Sequence, residues 1–465
     1  MRVRGGMEYC DVMNQHKRRF IQRCAAILGA SAAARLFPVG ALAAGQDEVL
    51  TNWAGNYRYS TARLTKARTL EEIQAFARQQ PSFKVLGTRH CFNGIADSKT
   101  QLLSMRDMNQ VAALDPAGRT VTVEAGMSYG QLCPLLDSKG FALHNLASLP
   151  HISIAGACAT GTHGSGVKNG NLSTAVSRLE IVTAAGEVVT LSRVKDRQFA
   201  GAVVNLGALG VVTKVTLDIQ PTYKMRQQVY LDLPMRQVRD HFDDIASSGY
   251  SVSLFTDWQK ERVNEVWIKQ RLDSGEPLRD AAEFFGAARA TRNVHPIVDL
   301  SPENCTEQMG VQGPWYERLP HFKMGFTPSS GKELQSEYFV PRGHAVEAIL
   351  AIERLRDQVG PHLLISELRT IEADELWMSP CYERASLAIH FTWKPEWDAV
   401  SQLLPVIERE LTPFQVRPHW GKLFTIPSSQ LRGRYERWDE FKQLVSNLDP
   451  KGTFRNEYLS RNLYS

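Results

Sequence analysis

The chain has 465 residues, enough for two to four domains of ordinary size. Hydrophobic residues make up 43% and charged residues 22%, which excludes a disordered, collagen-like or polytopic membrane protein. The net charge of +5 sits entirely in residues 1–44, which carry seven Lys/Arg and two Asp/Glu. The other 421 residues are neutral and offer nucleic acid no electrostatic attraction.

The first predicted element is a leader. Lys17-Arg18-Arg19-Phe20-Ile21-Gln22 precedes a mild apolar run, Cys24 to Ala34, and then Ala41-Leu42-Ala43. A charged n-region, a short h-region and an A-x-A site make residues 1–44 a signal peptide. The basic hexad is similar to a twin-arginine export signal, so a periplasmic or secreted protein is expected. The run is too short to span a bilayer, and no later segment offers about 18 uninterrupted apolar residues. Five cysteines follow the leader (Cys91, Cys133, Cys158, Cys305 and Cys381), odd in number and widely spaced. Neither a disulfide scaffold nor a metal site is expected from them.

Residues 47–221 are dense in short strands and glycine. Thr69-Leu70-Glu71-Glu72 is a capping-box pattern opening a helix to about Gln80. Strands are predicted at 83–86 and at 120–124, where Thr and Val alternate, and Ser128 caps a helix to about Leu136. A hairpin spans 176–183 and 188–191, and a strand at 211–219 stops at Pro221. Residues 222–435 change in texture: helices at 234–246 and 343–358 alternate with strands at 251–256, 263–270, 363–371 and 386–393. Residues 296–330, rich in Pro and Gly, form a long loop or cap. Residues 436–465 hold a helix and a polar tail that returns to the first domain. The fold class is α+β, because strands and helices alternate too irregularly for a doubly wound sheet.

Four motifs bear on chemistry. Gly126-Met127-Ser128-Tyr129-Gly130 matches the nucleophile elbow of a serine hydrolase. A hydrolase elbow, however, follows a strand buried on both faces, whereas Thr120, Thr122 and Glu124 give this one a polar face. The run Gly156 to Gly166 is neither a P-loop nor a Rossmann fingerprint, yet its glycines interleaved with Ser and Thr suit a backbone that cradles a diphosphate. Gly87-Thr88-Arg89-His90-Cys91-Phe92-Asn93 leaves a strand end and carries a histidine. Glu367 and Arg369 share one strand face, as do His390 and Thr392, while Lys422 sits among aromatic neighbours. Charge in such apolar surroundings is costly unless it has a partner or a task.

The 87–93 loop, Ser148-Leu149-Pro150-His151-Ile152-Ser153-Ile154-Ala155-Gly156, Thr160-Gly161-Thr162-His163-Gly164, Gly207 to Val212 and His419-Trp420-Gly421-Lys422 together resemble the vanillyl-alcohol-oxidase superfamily of flavoproteins. Within it the chain is most similar to the alditol (xylitol) oxidases. That likeness extends from Asn52-Trp53-Ala54-Gly55-Asn56 almost to the C-terminus and includes Ser253 to Trp258, Asn304 to Gln308 and Leu334 to Tyr338.

The resemblance implies an FAD-binding domain of the vanillyl-alcohol-oxidase (PCMH) type with an α+β substrate domain, and a flavin linked covalently through its 8α-methyl group to His90. It implies cofactor contacts from Gly87, Thr88, Arg89, Cys91 and Phe92 beside that histidine. Further contacts are implied from Ser148, Ser153, Gly156, Thr160, Gly161, Thr162, His163, Val212 and His419. The polyol site would comprise Ser148, Glu367, Arg369, Thr392 and Lys422, with Lys422 and His390 deprotonating the reacting hydroxyl. Two residues depart from the family pattern: Arg89 stands for a glycine and Cys91 for a serine. The expectation is a monomeric oxidase that converts a terminal primary hydroxyl of a sugar alcohol to the aldose and reduces molecular oxygen to hydrogen peroxide. An aldonolactone oxidase or dehydrogenase of the same superfamily, a hydrolase using Ser128 and a non-catalytic polyol binder are the alternatives.

Overall fold

A computed structural model describes residues 50–275, 280–324 and 332–465. The predicted leader lies outside those residues. The expected local signals operate from the first helix, Leu70–Gln79, where the Thr69 side chain accepts from Glu72 N. The reciprocal half of the expected capping box does not form: the Glu72 carboxylate accepts from Arg68 N rather than from Thr69 N. Just beyond, Lys84–Leu86 joins Leu64–Lys66 and Leu102–Ser104 in a small parallel sheet.

The next sheet has five antiparallel strands in the order Val111–Asp115, Thr120–Glu124, Val211–Asp218, Val176–Val182, Val188–Ser192. Val121 and Val123 are buried and their neighbours partly exposed, which is the alternation the sequence carries. Gly186 turns the hairpin at φ +75°, a conformation that favours glycine. Ser128 caps Tyr129–Ser138 in a full capping box with Gln131, so its hydroxyl terminates a helix rather than facing a base.

After Asp218 the chain crosses into a ten-stranded sheet. Its central strands run in the order Lys224–Pro234, Arg262–Arg271, Ser251–Thr256, Leu363–Ile371, Ser386–Trp393, Leu334–Pro341, all antiparallel. Two of these, Lys224–Pro234 and Leu334–Pro341, were not predicted. Both are buried along most of their length, but each carries consecutive buried polar residues, Arg226-Gln227-Gln228 and Gln335-Ser336-Glu337, which interrupt the apolar run that marks a covered strand. The helix Trp397–Leu411, also unpredicted, supports the far face of the sheet: Tyr338 Oη donates to Glu408 Oε1 on it. The expected helix 343–358 is broken into Ala345–Glu353 and Arg356–Val359. The described part of 296–330 holds two single turns, Pro302–Asn304 and Trp315–Glu317, within loop.

The last segment lies against the first. After the helix Trp438–Leu448, Thr453 O accepts from Phe83 N, and Asn456 Nδ2 donates to the carbonyls of Gly94, Ile95 and Asp97. Lys84, buried between them, donates to Gly207 O and Phe454 O. Burial pulls its ammonium pKa down to about 7. No described helix is long and apolar enough to cross a membrane.

Candidate active site

Strand register assembles the site. Glu367 pairs directly with His390, and His390 on its other side with Glu337, so three ionisable side chains form one row across three adjacent strands. Side chains opposite each other share a face, as do residues two apart. Arg369, Thr392 and Gln335 therefore extend the same face, and all six line one cavity. Predicted Glu367, Arg369, His390 and Thr392 thus converge as the two-residue spacing implied. The short strand Arg417–Pro418, paired to Tyr338 and Phe339, brings the His419–Lys422 loop to the row. Ser148 joins from the opposite wall, where it accepts from Arg369 Nη1 at 3.3 Å.

Glu337 had drawn no attention in the sequence, although it lies inside a stretch that carried the resemblance. Its side chain is 1% exposed. Oε1 accepts from Arg369 Nη2 at 2.7 Å and faces His163 Nε2 at 3.1 Å, and Oε2 forms an ion pair with Lys422 Nζ at 2.8 Å. Burial opposes ionisation of this carboxyl, but Lys422, His163 and Arg369 overcome it and hold the pKa well below the carboxylate range. Glu367 is likewise held ionised against burial, chiefly by Arg369 and His321.

Lys422 also donates to His390 Nδ1 at 2.7 Å, and His390 Nε2 then donates to Thr392 Oγ1 at 3.0 Å. Burial, followed by Lys422, pushes the His390 pKa down to about 4, so the ring is neutral. An ammonium has three N–H bonds; Lys422 donates one to His390 Nδ1 and pairs its charge with Glu337 Oε2. Donor capacity remains for a ligand, and 13% of the Lys422 side chain is exposed, against 9% for His390 and 6% or less for Arg369, Glu367 and Glu337. Burial and Arg369 draw its pKa below the usual lysine value, as the sequence suggested, while Glu337 works against them.

A second relay holds Glu367. Lys269, fully buried, donates to Pro320 O and to His321 Nδ1, both at 3.1 Å, and His321 Nε2 donates to Glu367 Oε1 at 2.7 Å. His321 comes from the predicted loop 296–330 and was not singled out. A histidine in irregular chain gives no periodic signal, so only its neighbours in space reveal it.

The opposite wall carries the predicted cofactor residues. Gly87 to Cys91, Ser148, Ser153, Gly156, Thr160, Thr162, His163 and His419 line the cavity. A Cβ on Gly87 would lie 2.4 Å from Ser153 Oγ, so a larger residue there would have to push that hydroxyl aside where the strand end meets the helix Ile154–Ala159. Phe92, Gly161 and Val212 do not line the cavity. Phe92 is buried with its N–H on Gly421 O, Gly161 makes a turn at φ +67° against Pro380, and Val212 lies within a strand. The glycine-rich run also divides: beyond His163 it leaves the wall, and Gly166 N donates to Thr370 O. Arg89 adopts φ +60°, a left-handed conformation that costs a non-glycine residue about 1–2 kcal/mol. Its Nη1 donates to Thr51 O and its carbonyl accepts from Trp53 N, which straps the loop in place. His90 packs 4.5 Å from the Trp53 ring. Its Nδ1 is buried without a hydrogen-bond partner among the described residues, and burial followed by His151 and Lys422 keeps the ring neutral.

The fold is shared with a cholesterol oxidase from B. sterolicum at a TM-score of 0.72 and 16% identity, covering 92% of this chain and 100% of that one. The FAD binding domain family matches residues 61–192, and the D-arabinono-1,4-lactone oxidase family matches residues 327–462. An alditol oxidase from Streptomyces sp. is 45% identical over 413 residues, covering 88% of this chain and 98% of that protein. This chain belongs to the alditol oxidase family. As an alditol oxidase relative it is an FAD-dependent oxidoreductase with the α+β flavoenzyme fold. The L-gulonolactone oxidase of Bos taurus and the L-gulono-1,4-lactone dehydrogenase of Mycobacterium tuberculosis are more distant. Each is 28% identical, covering 89% of this chain and 98% of its own. The wall described above fits FAD: an unpartnered neutral His90 faces the cavity, and the Gly87–Ser153 approach leaves backbone there with no side chain in the way. Among the described residues no cluster of three or more His, Cys, Asp or Glu is arranged to hold a metal ion.

Proposed function

We propose that the protein oxidises the terminal primary hydroxyl of a xylitol- or sorbitol-like sugar alcohol to the aldose, with FAD attached covalently through His90. FAD, when bound, supplies a two-electron acceptor that can pass its electrons to molecular oxygen and yield hydrogen peroxide. The observation that carries the reading is the row Glu367–His390–Glu337 with Lys422 and Arg369 upon it. An alcohol group both donates and accepts, so a polyol needs fixed donors and acceptors side by side. Glu367 accepts, Arg369 donates, and Ser148 and Thr392 do either. Lys422 meets the reacting hydroxyl: it first passes one proton to His390 Nδ1, 2.7 Å away, and the neutral amine so formed takes the hydroxyl proton.

In this reading residues 47–221 and 436–465 hold the cofactor, and 222–435 carry the substrate groups. The leader, residues 1–44, sends a monomer to the periplasm or medium. Its support is the basic hexad Lys17 to Gln22 and the A-x-A site at Ala41 to Ala43.

Two measurements test the reading. Wild type and His90→Ala are precipitated in acid and the pellets compared for flavin fluorescence; only wild type should retain it, and equal fluorescence removes His90 from the linkage. Anaerobic wild-type enzyme is then mixed with xylitol, sorbitol or an aldonolactone. Bleaching by the polyols, with peroxide formed on admitting oxygen, is expected. Bleaching by the lactone alone would move the activity to that of the more distant relatives.

A further inference from the structure

We propose that Glu337 is a positioning residue, which fixes through Lys422 and Arg369 the aim and the proton content of the groups that meet substrate. The inference rests on the polyol-oxidising reading above. Glu337 lies beneath those groups: its carboxylate is nearly sealed from the cavity and spans the two cations, Oε1 on Arg369 and Oε2 on Lys422. Its place in the register, directly opposite His390, puts it 3.7 Å from His390 Nδ1, on the same atom that receives the Lys422 N–H. One carboxylate therefore fixes the Lys422 ammonium relative to both its partner imidazole and Arg369.

Charge counting shows what this does. Glu337 and Glu367 are ionised. His163, His390 and His419 are neutral, each chiefly because it is buried. Arg369 is a fixed cation. Among Glu337, Glu367, Arg369 and Lys422 the charges cancel only while Lys422 holds its proton, and Lys269, which reaches Glu367 through His321, adds further positive charge when protonated. Lys422 faces Glu337, Glu367, Arg369 and His390 within the row. From the opposite wall and its own loop it also faces His90, Cys91 and His419. Of these, Glu337 is the carboxylate in direct contact with Nζ. Removing its charge leaves a buried excess of +1. Arg369 does not relieve that excess by deprotonating, so Lys422 must.

The test compares wild type with Glu337→Gln, which keeps the shape of the side chain and removes its charge. Lys422 is trace-labelled with acetic anhydride over a pH series, and the extent of acetylation is read by peptide mass spectrometry, with Lys422→Met as the blank. An adjacent opposite charge moves a pKa by about 1–3 units. The reactive amine should therefore appear at a pH at least about one unit lower in Glu337→Gln, and the pH profile of anaerobic flavin reduction should move the same way. An unchanged labelling profile in folded, flavin-loaded Glu337→Gln overturns the inference. Should that variant not fold, the double variant Glu337→Gln/Lys422→Met, which removes one charge of each sign, should recover folded protein. A double variant as unfolded as the single one also overturns it. Wild-type flavin that polyols fail to bleach would sink the proposed function while leaving the labelling comparison intact.

Discussion

Lys422 and Arg369 are both buried cations on carboxylates, but their surroundings assign them different work. Lys422 Nζ keeps donor capacity for the cavity and has a neutral imidazole behind it. Arg369 is clamped between Glu337, Glu367 and Ser148. An interaction that strengthens as charge develops on the hydroxyl lowers the barrier, whereas one made equally in the ground state only tightens binding. Lys422→Met should slow flavin reduction at saturating polyol by at least about 10²-fold, the lower end for positioned proton transfer. Arg369→Met should chiefly raise the apparent dissociation constant. Anaerobic stopped-flow separates the two quantities. A Lys422→Met enzyme with a near-normal limiting rate would make it a binding residue and leave His390 as the leading base.

At the scale of elements, the short-range signals were the legible ones. The Thr69 and Ser128 caps act within a few residues of chain, and both are where the sequence puts them. Ser128→Ala should cost about 1 kcal/mol, the usual worth of such a cap, and leave polyol oxidation unchanged; loss of oxidation with unchanged melting would mean the serine has a chemical role. Strands with a wet face were equally readable, and so were Glu367/Arg369 and His390/Thr392, because a spacing of two fixes a shared face. The strand Leu334–Pro341 was not, and with it went Glu337: the buried polar run Gln335-Ser336-Glu337 breaks its apolar signal, and cross-strand partners are set by pairings far apart in sequence. The same reason hid His321, whose relay to Lys269 spans 52 residues of chain.

For the whole molecule, the cluster of neutral histidines sets the response to acid. Burial depresses the pKa of His321 and His390 to about 4, and those of His90, His163 and His419 fall in the same direction. In the unfolded chain such rings titrate near 6.5. Below that pH the unfolded state takes up protons that the folded state refuses, so stability is full above about 6.5 and drains as the pH falls toward 4. Glu265 and Asp374, whose carboxyls burial raises to about 7 and about 6, act in the opposite sense over nearly the same range, as do Glu353, Glu408 and Asp449. But His144, His151 and His295 join the five, and the depressed histidines outnumber these carboxyls. Each fully titrating ring contributes at most about 1.4 kcal/mol per pH unit. Urea midpoints should therefore fall steadily from pH 6.5 to 4.5, and a flat profile would contradict the neutral cluster. A last consequence follows from where the row Glu367–His390–Glu337 lies. Leu363–Ile371 and Ser386–Trp393 lie between other long strands, and Leu334–Pro341 is covered on its outer side by the two-residue strand Arg417–Pro418 and the loop after it. Strands so covered exchange their amide hydrogens chiefly when the domain opens as a whole. The catalytic floor should thus be among the slowest-exchanging backbone in the protein. Heat should then abolish turnover in the same transition that melts the fold, with no earlier stage at which an otherwise intact enzyme falls silent.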